Sequence, residues 1–144
     1  MLTVVAAIIV NDGKVLICQR SRTDSFPLKW EFPGGKVEAG ETPVQALARE
    51  VLEELGAHAI IGAEFRRVQH KYPEKKEPIQ LIFLWATIEA GSERNLQFEQ
   101  FVWAAPAELK SFDFLEADRD VVRRLAQELN TGRSRKDNRS VWPF

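Results

Sequence analysis

The sequence predicts an α+β fold (mixed α/β), with strands through the middle of the chain and two helices flanking them. Three observations predict it. Apolar runs rich in β-branched and aromatic residues recur, the strongest being Ile79–Ile88. Two other segments, one starting at Thr42 and one at Ala117, repeat apolar residues at helical spacing instead. Tight turn signals such as Asn11-Asp12-Gly13 punctuate the runs, and no internal repeat or second domain interrupts them.

Residues 3–10, TVVAAIIV, read as a buried strand, and Asn11-Asp12-Gly13 turns the chain into a second strand, Lys14–Gln19. Residues 21–29 are polar, contain Pro27 and read as a loop. Residues 30–32 are short and extended and run into a bend at Pro33-Gly34-Gly35. The helix that follows has both ends marked. Thr42 caps it, Pro43 suits the first helical position, Gln45 completes a capping box and Gly56 is the left-handed stop. Val44, Leu47, Ala48, Val51 and Leu55 form its apolar stripe, with Glu50, Glu53 and Glu54 read as lying opposite.

Residues 59–71 are strand-like, 72–78 form a loop rich in proline and charge, and Ile79–Ile88 is a strand. A turn at 90–95 leads to a strand at 98–103 and a helical turn at 106–109. Residues 117–129 form a second amphipathic helix, with Val121, Val122, Leu125 and Leu129 as its stripe. A single domain is therefore expected over residues 1–130. Residues 131–144 change character: Arg133, Arg135, Lys136 and Arg139 stand among polar residues, as in a flexible basic tail. The final Val141-Trp142-Pro143-Phe144 is apolar, out of keeping with the rest of that tail.

At 144 residues the chain can bury a real core. Its 20 basic and 21 acidic residues lack the cationic excess that a nucleic acid polymer demands, whereas a mononucleotide needs only local groups and a metal. Cys18 is the only cysteine, which rules out an internal disulfide and fits a reducing cytoplasm. The apolar run at 3–10 is too short to span a membrane and has no basic leader, so a cytoplasmic location without membrane contact is expected. Monomer and homodimer both stay open.

Glu50, Glu53 and Glu54 are neighbours at i, i+3 and i+4, where like charges repel by roughly tenths of a kcal/mol per pair. A hard divalent cation, Mg²⁺ or alternatively Mn²⁺, would turn that repulsion into a site, bringing its own waters and substrate phosphates. Taken alone, REVLEEL reads first as a solvated acidic face. The flanking residues decide. Gly35, Glu41, Arg49-Glu50-Val51, Glu53-Glu54 and Gly56-Ala57 match the box of the Nudix hydrolase family at every fixed position, Ala57 being a small version of the usual aliphatic residue. The run Trp30-Glu31-Phe32-Pro33-Gly34-Gly35-Lys36 resembles the MutT-like branch, and the resemblance extends from about residue 4 to residue 129.

That resemblance implies an α/β/α sandwich around a mixed sheet and a Mg²⁺-dependent nucleoside triphosphate pyrophosphohydrolase, a hydrolase of acid anhydrides. It implies metal ligation by Glu50, Glu53, Glu54 and the Gly34 carbonyl, and an ion pair of Glu41 with Arg49 that holds the loop, beside Gly35, against the helix. Glu50 is the first choice for the base that orients or activates water, with Glu53 the alternative. Glu99 matches an acidic residue that can join the metal site in MutT-like relatives, and reads equally as a surface glutamate. Arg20, Phe32 and Asp118 match positions that line the base pocket. Phe32 also reads as core, and Asp118 as an acidic residue favouring a helix N-terminus.

The substrate expected first is 8-oxo-dGTP, in nucleotide-pool sanitation. CTP or methylated dCTP comes second. A non-catalytic nucleotide-binding module is the third reading, disfavoured because such modules often lose box carboxylates that this chain keeps. One Tyr72-Pro73 pair, in the region where other Nudix subfamilies carry their marks, is too little to redirect the assignment.

Overall fold

Strand β1 (Leu2–Asn11) organises the sheet in the computed structural model, which describes residues 1–129. Around it lie β2 (Lys14–Gln19), β3 (Trp30–Glu31), β4 (Gly34–Lys36), β5 (Ala59–His70), β6 (Ile79–Ile88) and β7 (Gln100–Ala104). Two α-helices, α1 (Pro43–Leu55) and α2 (Arg119–Leu129), and two 3₁₀ turns, Pro106–Ser111 and Glu116–Asp118, complete the fold. The strand order is β3-β2-β1-β6-β5, with β4 on β1 and β7 on β2. The sheet is mixed: β1 runs parallel to β6 from Leu2↔Ile79 to Ile9↔Ala86, and the other strand pairings are antiparallel.

Alternation along the strands builds two cores. Ala6 and Ile8 of β1, with Leu81, Phe83 and Trp85 of β6, join Val121, Val122, Leu125 and Leu129 of α2. Val5, Ala7 and Ile9, with Ile82, Leu84 and Ala86, join Ala46, Leu47, Val51 and Leu55 of α1. One helix on each face gives the three-layer α/β/α sandwich. Asp12 and Gly13, both at positive φ, make the two-residue turn between β1 and β2 that their sequence favours.

The α1 ends match expectation in detail. Thr42 accepts from the Gln45 backbone N–H, the Gln45 side chain accepts from the Thr42 N–H, and Gly56 stops the helix at φ 65°. Its faces do not match. Val44, read as part of the stripe, is 48% exposed, and Glu54, read as opposite the stripe, is 4% exposed. Helix geometry explains the second point: Glu54 follows Leu47 by seven residues, which returns it to within about 20° of the same face. Three boundaries also differ. Gly34–Lys36 pairs with β1 as a strand, through backbone groups that a Gly-Gly sequence hides. The strand expected from 98 starts at Gln100, because the Asn95 side chain holds both the Phe98 N–H and its carbonyl in a turn. Asp118 precedes α2, in the 3₁₀ turn. The expected tail, 131–144, lies outside the described residues. Among the described residues no helix is long and apolar enough to cross a membrane.

The α1 faces make a direct prediction. Leu47→Ala should cost about 2–5 kcal/mol in urea unfolding, as for other buried leucines, and Val44→Ala about 0.5 kcal/mol or less. Similar costs for the two would return Val44 to the core.

Candidate active site

The glycine loop is pressed between β1 and α1. A Cβ on Gly34 would sit 1.9 Å from the Val5 carbonyl oxygen, and one on Gly35 would sit 2.4 Å from the Glu50 carboxyl carbon. Only glycine permits both approaches, so backbone lies directly against a carboxyl group of α1. Arg49 fixes this arrangement. Its Nε and Nη2 donate to the two Glu41 carboxylate oxygens at 2.7 and 3.0 Å, Nη2 also donates to the Lys36 carbonyl at 3.0 Å, and Nη1 donates to Glu50 Oε2 at 3.0 Å. The bidentate fork holds the Glu41 carboxyl down at about 2, with help from the Glu38 backbone N–H. Arg49 thus ties loop, strand β4 and helix together, and it is engaged by protein groups on every side.

The three helix glutamates occupy three environments. Glu53 is the outermost, its side chain 57% exposed and 3.4 Å from Arg49 Nη1. The Glu50 side chain is 15% exposed, between Arg49 and Gly35. Glu54 is buried: Oε1 accepts from the Gly34 N–H at 3.1 Å, and Oε2 accepts from the Gln97 side-chain amide at 3.3 Å. Burial, then the nearby Glu50 and Glu31 carboxyls, push Glu54 far above the usual carboxylate range. Among the described residues no three acidic or His/Cys side chains are gathered into a ready coordination sphere. The Glu50–Glu54 pair nonetheless fits a divalent cation by its chemistry. They are two hard oxygen donors held together against glycine backbone, and a cation beside them would offset the burial and crowding that favour the neutral form of Glu54.

A cavity of about 260 Å³ lies beside Glu54 and the glycine loop. Gly34, Gly35, Glu54 and Gln97 line one part of it, and Arg20, Glu31, Phe32 and Asp118 line another. Phe32 is 3% exposed, stacked on Phe114 at 5.4 Å and edge-on to Phe83 at 6.0 Å, so it is both core and cavity wall. Arg20 donates to Glu31 Oε1 at 3.0 Å and to the Ser25 carbonyl and hydroxyl at 2.7 and 2.9 Å, which fixes the 21–29 loop over the cavity. Phe26, at φ 50°, comes from that loop to pack on Tyr72 at 5.0 Å. Asp118 is 4% exposed. Burial and the Glu31 carboxyl raise it well above the ordinary aspartate range, opposed by Arg20 and by the Phe32 backbone N–H, which donates to it.

The structure therefore brings Arg20, Phe32 and Asp118 onto one cavity with Gly34 and Glu54, while Glu53 stays at the surface. Glu99 does not meet the box carboxylates: it pairs with Arg22 at 2.7 Å, and its N–H bonds Gln19. Gln97, two residues earlier, takes the contact with Glu54 instead. Glu31, Tyr72 and Gln97 are cavity residues that sequence reasoning did not select. Glu31 had a signal, as the polar residue between buried Trp30 and Phe32, but its partner Arg20 lies across a strand pairing that only the fold reveals.

Two predictions follow from this electrostatics. Arg49→Ala should destabilise at pH 7 and reduce kcat. Glu41 has a depressed native pKa, so its contribution is complete above the ordinary value of 4.5 and is lost as pH falls toward 2. The stability gap between wild type and Arg49→Ala should thus narrow over that window in urea titrations; unchanged stability with only a raised KM would make Arg49 a phosphate contact. Glu54 has the opposite sign: its native form holds a proton, so metal-free stability declines as pH rises above 4.5. Glu54→Gln should raise the metal-free Tm at pH 8 and abolish the Mg²⁺-induced Tm shift. A Tm lowered by this substitution at pH 8 would contradict a buried Glu54 that holds its proton.

Comparison with known proteins agrees with this geometry. The NUDIX domain family model matches residues 1–125. The chain is 35% identical over 129 residues to an 8-oxo-dGTP diphosphatase of Haemophilus influenzae, covering 89% of this chain and 93% of that protein. It is 36% identical over 119 residues to the CTP pyrophosphohydrolase of Escherichia coli, covering 82% and 86%. The crystal structure of a MutT protein from Methanosarcina mazei superposes with a TM-score of 0.77 at 25% identity, over 90% of this chain and 96% of that one. A box match, a cavity shared by box and pocket residues, and these likenesses converge: the chain belongs to the Nudix family, on its MutT-like branch.

Proposed function

We propose that the chain is a Mg²⁺-dependent pyrophosphohydrolase of purine nucleoside triphosphates, with 8-oxo-dGTP the preferred substrate, releasing a nucleoside monophosphate and pyrophosphate. The observation that carries this reading is the single cavity with Glu54 and the glycine loop in one part and the buried Asp118 in another. A base seated beside Asp118 and Phe32 directs its polyphosphate toward Gly34, Gly35 and the helix glutamates. A bound Mg²⁺ supplies charge neutralisation for the phosphates and for the Glu50–Glu54 pair, with Glu53 and the Gly34 carbonyl completing the proposed protein donors. Glu50, positioned by Arg49, orients the attacking water and takes its proton, with Glu53 as the alternative. Phe32 packs on the base, and Arg20 holds the 21–29 loop and Glu31 in place.

Asp118 sets the choice of base. Guanine presents N1–H and N2–H₂ donors, which an ionised carboxylate accepts together. Burial and Glu31 favour the protonated form of Asp118, and two donors from guanine would favour its release. The same observation favours a second reading. A protonated carboxyl both donates and accepts, matching N3 and the amino group of cytosine, and the likeness to a CTP pyrophosphohydrolase is as strong as that to an 8-oxo-dGTP diphosphatase.

The two readings separate by pH. If guanine is the ligand, the ratio of kcat/KM for guanine over cytosine nucleotides should rise with pH as Asp118 ionises, and lose its pH dependence in Asp118→Asn. The expected ranking is 8-oxo-dGTP over dGTP over dATP, with Asp118→Ala eroding it more than it slows a poor substrate. Cytidine nucleotides hydrolysed best would overturn the guanine assignment. Glu53→Gln and Glu54→Gln should each lower kcat at least ~10²-fold with the fold intact; near-normal turnover of Glu53→Gln at saturating Mg²⁺ would remove Glu53 from the metal site.

A further inference from the structure

A second cavity, a groove of about 590 Å³, lies along α2. Its apolar lining comes from Phe112 and Phe114, before α2, and from Val122 and Ala126 on the helix. Arg119 and Arg123 stand beside it with side chains 59% and 64% exposed, each also paired with an aspartate, Asp113 and Asp120 respectively. Phe114 is common to both cavities' surroundings: it lines the groove and stacks on Phe32. None of the box residues lines it.

We propose that this groove is the docking site of the chain's own segment Val141-Trp142-Pro143-Phe144. The chemistry matches. The segment concentrates two aromatic residues, a valine and a proline after a stretch that is otherwise polar and basic. The groove offers aromatic and aliphatic walls, and guanidinium groups are favourable partners for an indole face. Pro143 restricts the segment's backbone, which lowers the entropy lost on docking. The tether also fits. Ala126 and Val122 lie about 5 and 10 Å back along the helix from Leu129, at 1.5 Å per residue. Residues 130–140 can span roughly 40 Å when extended, several times that distance. A tether of this length keeps the segment at an effective concentration on the order of millimolar, so a modest affinity suffices. Docking places the segment against Phe114, whose ring backs Phe32.

The test uses the full chain. Cys18 is buried and is the only cysteine, so a nitroxide attaches selectively at Ser140→Cys and leaves the docking residues intact. In ¹⁵N spectra the amides of Phe114, Val122 and Ala126 should be broadened strongly and recover when the nitroxide is reduced. Adding Trp142→Ala, which leaves residues 1–129 untouched, should abolish the selective broadening. Ala126→Glu, a charge placed in the groove at a half-buried helix position, should do the same with the remaining spectrum preserved. Absence of selective broadening, or broadening that persists in Trp142→Ala, overturns the proposal. So does broadening retained when ¹⁵N-labelled chains without nitroxide are mixed with unlabelled spin-labelled chains, since a second copy would then be the occupant.

Discussion

A carboxyl group buried under a glycine loop is the constraint on which the site depends. Glu54 lies on the core-facing side of α1, in line with Leu47 and Val51, where an apolar residue would pack at no electrostatic cost. It is held there by the Gly34 N–H and the Gln97 amide, and it is crowded by Glu50. Gly34 can reach it only because no Cβ separates the loop from β1. Strand β4, the packing of α1 on the sheet and the position of the carboxylate pair are therefore one arrangement. Its two fixed points are a close backbone contact and the Arg49 fork to Glu41 and Lys36.

The cost of this arrangement is concentrated where function needs it. Among the described residues, Glu54 and Asp118 are the two acidic residues buried outright, and both are driven toward their neutral forms by burial and by neighbouring acids. Glu31 raises both, so the two regions of the cavity share an electrostatic environment. Such groups weaken the fold while no ligand is bound, and a cation at one and a hydrogen-bonding base at the other would relieve that strain. The surrounding sandwich supplies the stability that offsets it, through two apolar layers packed on opposite faces of β1 and β6.

Most of the fold was legible because its signals are local. Apolar runs rich in β-branched and aromatic residues located β1, β2 and β6, and capping residues located α1 with both ends correct. The box residues were legible as a spacing pattern. What was not legible depends on contacts between distant segments. A Gly-Gly sequence does not announce that it will pair with β1, and the helix reading set Glu54 opposite the apolar stripe with Glu50 and Glu53, although its phase returns it to the Leu47 face. Glu99 was matched to a metal-site position by resemblance; in the fold it pairs with Arg22, and an Asx turn at Asn95 aims Gln97 at Glu54. Asp118 was found by alignment to a resemblance. Its burial and its pairing with the Phe32 backbone became visible only in the fold.

The central claim is that the buried Glu54 carboxyl, crowded by Glu50, holds a proton that a divalent cation would displace. Metal binding should then displace a proton. Calorimetric titration of the nucleotide-free protein with Mg²⁺ at pH 7.5, repeated in buffers of different ionisation enthalpy, measures that proton directly. The account predicts release of about one proton per cation bound in the wild type, and none in Glu54→Gln. Mg²⁺ binding to the wild type with no proton release would contradict it.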